Sequence, residues 1–136
     1  MTNTEEQSKE APLIVEKENR SGFTIVHVEG LIKLGESAEF FSQTLESVLK
    51  DETGSVIIDF TKIDYIDSTG IGELVGYLGR FSDQDRDLIL VNPSDRIMKL
   101  LKLAKLDEAF NIYSSTEAAI AAEEPSEEEN EETSEE

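Results

Sequence analysis

From Phe23 to Glu29 the chain alternates, with Phe23, Ile25 and His27 on one face and Thr24, Val26 and Val28 on the other. This period of two predicts a strand, which Gly30 ends. Upstream, the apolar run Leu13-Ile14-Val15 reads as a short edge strand, and Asn19-Arg20-Ser21-Gly22 as the turn that joins the two into a hairpin. From Glu36 the period lengthens. Ala38, Phe41, Leu45, Val48 and Leu49 recur at helical spacing, with Glu36, Glu39, Gln43, Glu46 and Lys50 between them, so an amphipathic helix is expected, with Gly54 just past its end. Val56-Ile57-Ile58-Asp59-Phe60 is nearly continuous in apolar character, as a strand covered on both faces of a parallel sheet should be.

A polar turn after Ile63, Tyr65 and Ile66 opens a second helix, with Ile71, Leu74, Val75, Leu78 and Phe81 on one face. Leu88-Ile89-Leu90-Val91 is another buried strand, stopped by Asn92-Pro93-Ser94. Ser94 is placed to cap a third helix that directs Ile97, Met98, Leu100, Leu101 and Ala104 to the core. Phe110 to Tyr113 forms a last short strand, and Ser115 or Thr116 caps a closing helix through Ile120. The order β, β, α, β, α, β, α, β, α predicts an α/β fold: a mixed sheet with a parallel core, an opening hairpin and about four helices. No internal repeat is visible. The expected domain spans residues 12–122, between a polar, disordered N-terminus at 1–11 and an acidic, disordered tail at 123–136.

Charge narrows the partners. The 136 residues carry a formal net charge of −19; all twelve Lys and Arg precede residue 123, and nine Glu follow from there. The tail thus supplies −9 and residues 1–122 supply −10. Such a chain is expected to be repelled by nucleic acid and by anionic membrane surfaces. With no cysteine there is no disulfide, thiolate nucleophile or thiolate metal site. No apolar run approaches the roughly 18–20 residues of a membrane span, and the first ten residues lack the basic and apolar regions of a signal peptide. The expectation is a soluble, cytoplasmic protein.

The chemistry concentrates in Asp67-Ser68-Thr69-Gly70-Ile71-Gly72, between a buried strand and a helix. Ser68 has two readings. As a cap, its hydroxyl would accept from the unpaired N–H groups of the helix start. As a switch, it would carry a phosphate at the carboxyl end of a strand, where ligands and partners bind in open α/β sheets. Gly70 and Gly72 would let another molecule approach. A phosphate would meet the positive end of the helix dipole and add about −1.5 to −2 charge beside Asp67 and Asp64. Gly72, Gly76 and Gly79 form a stripe along the same helix, each costing roughly 1 kcal/mol against Ala. Either close packing or a flat docking strip would explain them.

The segment Asp64-Tyr65-Ile66-Asp67-Ser68-Thr69-Gly70-Ile71-Gly72, after strand Val56–Phe60, resembles the signature of the STAS domain, most closely that of bacterial anti-sigma-factor antagonists. The resemblance runs over roughly residues 12–120 and includes Leu88–Pro93 and the segment from Ile97 to Phe110. It implies a STAS-type sheet and a binding module rather than an enzyme. The implied partner is an anti-sigma factor that is also a serine/threonine kinase, whose capture releases a sigma factor. That kinase phosphorylates the serine after the aspartate, here Ser68, with Thr69 the weaker candidate, and binding is lost; a phosphatase restores it. Asp67, Ser68, Thr69, Gly70, Ile71 and Gly72 would form the contact surface. Where the family often has Gly-Glu-x-Asp after the second strand, this chain has Gly30-Leu31-Ile32-Lys33-Leu34. Lys33 thus joins the candidate partner-binding residues and opens the question of a different partner.

Other features carry less. The only histidine, His27, reads as a half-buried structural residue, with no second His or Cys for a triad or a transition-metal site. Asp59, Asp64 and Asp67 read as solvated carboxylates rather than a cation cluster, so no metal or cofactor is expected. Arg96, Lys99, Lys102 and Lys105 form a basic stripe read as a solvated face, with an acidic partner or the acidic tail as the alternative. A scaffold or regulatory subunit of a larger assembly, stressosome-like or in a lipid-transport complex, is the second functional reading. An enzyme or nucleotide-binding protein is the third, weakened by the lack of Gly-Lys-Ser/Thr and of a positive side chain in the turn.

Overall fold

A computed structural model describes residues 13–123. The flanking segments expected to be disordered lie outside the described residues, apart from Glu123. Five strands form one sheet in the order β1-β2-β3-β4-β5. These are β1 Leu13–Arg20, β2 Phe23–Ile32, β3 Val56–Ile66, β4 Leu88–Val91 and β5 Asn111–Tyr113. β1 pairs with β2 antiparallel and every later pairing is parallel. Four helices follow in chain order: α1 Glu36–Asp51, α2 Ser68–Ser82, α3 Asp95–Leu103 and α4 Thr116–Glu123. The α/β fold with an opening hairpin and a parallel core is as the periodicity predicts.

Element ends differ where local signals were weakest. β1 continues through Arg20, so the hairpin turn is only Ser21-Gly22. Both residues have positive φ, 56° and 86°, the backbone that matches the twist of paired strands. Gly30 does not end β2. It sits at a register shift, with φ 120°, and the strand goes on to Ile32. A glycine there bends the strand without breaking the ladder. α4 extends past Ile120 because Tyr113 and Asn111 donate hydrogen bonds to the Glu123 carboxylate, at 2.5 and 3.0 Å.

The sheet has two unequal faces. Val26, Val28, Ile58 and Leu90 point to the larger core, filled by Phe41, Leu45 and Val48 of α1, Leu74 and Phe81 of α2, and Ile97 and Leu101 of α3. Phe23, Ile25, Ile57, Ile89 and Val91 point to the other face, covered by Ala119 and Ile120 of α4. Arg86, hidden from the sequence reading, is buried under the end of α1. It stacks on Phe81, 4.7 Å from the ring centroid, and donates to the carbonyls of Val48, Leu49 and Gly54. The Leu49 carbonyl belongs to the last turn of α1, where intrahelical donors run out; Val48 O also accepts from Glu52 N, and Gly54 lies beyond the helix. Above α4 the sheet face is open, and there His27 Nδ1 lies 2.8 Å from Asp59 Oδ2. His27 is half-buried, as its mid-strand position suggests.

One length mismatch shapes the upper end. β3 runs for 11 residues, but β4 for 4. β4 therefore pairs only with Val56–Asp59, and the upper part of β3 pairs with β2 alone. On the β4 side, Tyr65 and Ile66 face α3 across a gap.

Candidate functional site

The cap of α2 is Asp67, not Ser68. Asp67 Oδ1 accepts from Thr69 N at 3.0 Å and from Gly70 N at 3.1 Å. Its other oxygen accepts from Leu34 N at 2.9 Å, and its own N–H donates to the Ile32 carbonyl at 3.1 Å. One carboxylate thus closes the helix start and pins the β2–α1 loop beside it. Burial pushes this carboxyl up, but the N–H donors of Leu34, Gly70 and Thr69 outweigh that and hold it below the ordinary aspartate range. A carboxylate caps as well as a serine does, and here it precedes the serine by one residue, so Ser68 is freed from the capping role.

Ser68 becomes the first residue of α2 and is exposed, whereas Thr69 is half-buried. Among the described residues its hydroxyl makes no hydrogen bond. The hydroxyl stands at the carboxyl end of β3, at the lip of a groove of about 740 Å³. Tyr65, Ile71, Leu100 and Leu103 give the groove an apolar lining, and Arg96 and Lys99 of α3 lie along it. The mismatch between β3 and β4 creates this gap. Leu100 and Ala104, expected in the core, are exposed and line it instead.

The six-residue motif divides by direction. Gly70 is buried rather than open to a partner: a Cβ there would come within 2.6 Å of Ile66 Cγ1 and 2.8 Å of Ile32 Cγ2. Its glycine is needed for packing α2 onto the sheet, so Gly70 supports the surface from beneath and does not belong to it. Ile71 is half-buried in the groove, and Gly72 is exposed. Gly72, Gly76 and Gly79 have no neighbour among the described residues within 4 Å of an added Cβ, so close packing among those residues does not explain the stripe. It faces solvent together with Val75.

Lys33 is exposed in the β2–α1 loop, one residue from the Leu34 N–H held by Asp67. Ser37 steadies this loop by bonding both the N–H and the carbonyl of Lys33. Leu34 itself is 75% exposed, and Leu31 and Tyr65, paired across β2 and β3, are also exposed. Together with Leu100 and Leu103 they put much of the exposed apolar surface of the described residues around Ser68. Apolar patches of this kind mark interaction sites.

Of Asp59, Asp64 and Asp67, two are engaged in separate places and Asp64 is exposed. Asp59 accepts from Thr61 and pairs with His27, and Asp67 serves the cap. Of the basic stripe, Arg96 and Lys99 line the groove, and Lys102 and Lys105 are exposed outside its lining. Among the described residues, no helix is long and apolar enough to cross a membrane.

Comparisons with known proteins agree with this layout. The family model described as STAS domain matches residues 15–119. An anti-sigma-B factor antagonist of Staphylococcus aureus is 30% identical over 91 residues, 63% of this chain and 84% of that protein. The fold is similar to a putative anti-sigma factor antagonist from Thermotoga maritima, with a TM-score of 0.74 at 20% identity, over 79% of this chain and 92% of that one. It is similar too to the Bacillus cell fate determinant SpoIIAA in its phosphorylated form, with a TM-score of 0.64 at 18% identity, over 82% and 98% of the two chains. A sheet in this order, a serine freed at the start of the helix after β3, and a matched stretch covering nearly all the described residues lead to one assignment: the chain belongs to the STAS domain family.

Proposed function

We propose that this chain is an anti-sigma-factor antagonist: it binds an anti-sigma factor with serine/threonine kinase activity, so that a sigma factor is released, and phosphorylation of Ser68 ends the binding. The observation that carries this reading is the exposed, uncommitted Ser68 hydroxyl at the lip of an apolar groove. The relatives named as antagonists support it. In the kinase step, Ser68 Oγ forms a bond to the γ-phosphorus of ATP, and the bridging bond to ADP breaks. The hydroxyl proton passes to a base on the kinase. A phosphatase reverses the switch by hydrolysis. The unit spans residues 12–122 and works in the cytoplasm without touching nucleic acid, in keeping with its negative charge. Asp67 shapes the surface by holding the Leu34 loop, Ile71 and Gly72 contribute contact area, and Lys33 tunes which partner is accepted.

Mixing the protein with an anti-sigma factor that has serine/threonine kinase activity and with ATP, then mapping phosphate by mass spectrometry, tests the reading. Phosphate on Ser68 is expected, with binding kept by Ser68→Ala and lost by Ser68→Asp. An unmodified Ser68 together with no complex overturns it.

A further inference from the structure

The dual use of Asp67 limits what a phosphate on Ser68 could bind. Helix starts usually receive anions through their free N–H groups. Here the N–H groups of Thr69 and Gly70 already donate to Asp67 Oδ1, and that carboxylate is held ionised by its donors. A phosphate one residue away would carry about −1.5 to −2 charge and be repelled by Asp67. The charged side chains of the surrounding elements are Asp64 and Asp67 of the β3–α2 segment, Lys33 of the β2–α1 loop, Glu73 and Arg80 of α2, and Asp95, Arg96, Lys99 and Lys102 of α3. Of these, Asp67, Arg96 and Lys99 line the same groove as Ser68, and Arg96 and Lys99 are its cations. Among the described residues neither joins an ion pair; the pairs formed use Arg20, His27, Lys50 and Arg80.

We infer that Arg96 and Lys99 form an internal receptor for the phosphate of phosphorylated Ser68, a latch between the start of α2 and the first turns of α3. This rests on the phosphoserine reading of Ser68 and adds to it a reason why binding is lost. The phosphate bridges the mouth of the groove and draws the two cations over Leu100 and Leu103. The apolar lining is then withheld from a partner, in addition to any direct repulsion. An arginine suits the task because its planar fork matches phosphate oxygens in pairs, while the lysine adds a point charge.

The test needs no kinase. Phosphoserine is installed at position 68 of the full chain during translation, and the second ionisation of the phosphate is followed by phosphorus NMR against pH. In the otherwise native chain the ionisation is expected at least half a pH unit lower than in the Arg96→Gln/Lys99→Gln variant, with the gap closing at high salt. Lys102→Gln/Lys105→Gln, which changes net charge equally away from the groove, should recover less than half of that shift. Arg96→Lys/Lys99→Arg should keep the low value, which separates a charge effect from a folding defect. Equal titration of the native and Arg96→Gln/Lys99→Gln chains overturns the latch, as does an equal effect of the Lys102/Lys105 pair. Neither result bears on whether a kinase modifies Ser68, so the latch and the switch can fail separately.

Discussion

Asp67→Ala should loosen two parts of the molecule at once. The carboxylate caps α2 through Thr69 and Gly70 and ties the β2–α1 loop through Leu34. Loss of an aspartate cap costs about 1 kcal/mol. The bond to Leu34 has a charged acceptor, but the loop is exposed, so about 1 kcal/mol is a fair share for it. The sum is about 2 kcal/mol, which at a urea slope of about 2 kcal/mol per molar lowers the unfolding midpoint by about 1 M. Asp67→Asn should recover most of the capping part, since asparagine caps nearly as well. The pH dependence has a definite sign. The folded-state pKa of Asp67 lies below its ordinary value, so its ionised contribution is present above the unfolded pKa and lost as pH falls through the folded one. The gap between native protein and Asp67→Ala should therefore be widest near neutrality and shrink below about pH 4. Urea unfolding at several pH values measures this, and amide hydrogen exchange at Leu34, Thr69 and Gly70 localises it. A loss under about 0.5 kcal/mol, within the scatter of ordinary surface substitutions, with unchanged exchange at Leu34, would refute the clasp.

Two glycines of the same helix should respond in opposite directions. Gly70→Ala drives a Cβ into Ile66 and Ile32 and should cost about 1–3 kcal/mol by overpacking. Gly72→Ala meets no atom and should gain up to about 1 kcal/mol in helix propensity. If Gly72 belongs to the docking surface, that stabilised variant should still bind the anti-sigma factor more weakly in calorimetry. Arg86→Met should destabilise by about 3 kcal/mol in urea unfolding, because it removes a guanidinium bonded to carbonyls of Val48, Leu49 and Gly54. A loss smaller than about 1 kcal/mol would show that water replaces those bonds readily.

Much of the fold was legible because its signals are local. The alternation in Phe23–Glu29, the helical spacing of Ala38 to Leu49 and the apolar run Val56–Phe60 each report how one segment meets a core. The Asp-Ser-Thr-Gly turn likewise announced a helix start after a buried strand. What could not be read was which of two neighbouring polar residues takes the cap. Asp67 and Ser68 are both good candidates by type, and the choice depends on Leu34, 33 residues away, needing the same carboxylate. Gly70 looked like an opening for a partner, and only its packing on Ile66 and Ile32 shows otherwise. Leu100 and Ala104 kept perfect helical spacing yet miss the core, because β4 stops after four residues and leaves α3 beside a gap.

By itself the sequence determined the order of elements, the parallel core and the place of the serine, since periodicity and turn chemistry act over a few residues. Tertiary structure alone decided that Asp67 holds the helix start, that Ser68 is free at the lip of a groove, and that Arg96 and Lys99 share that groove with it. Those relations arise between strands of unequal length and between residues far apart in the chain. No short-range pattern encodes them, because each exists only once the sheet has brought its carboxyl ends together.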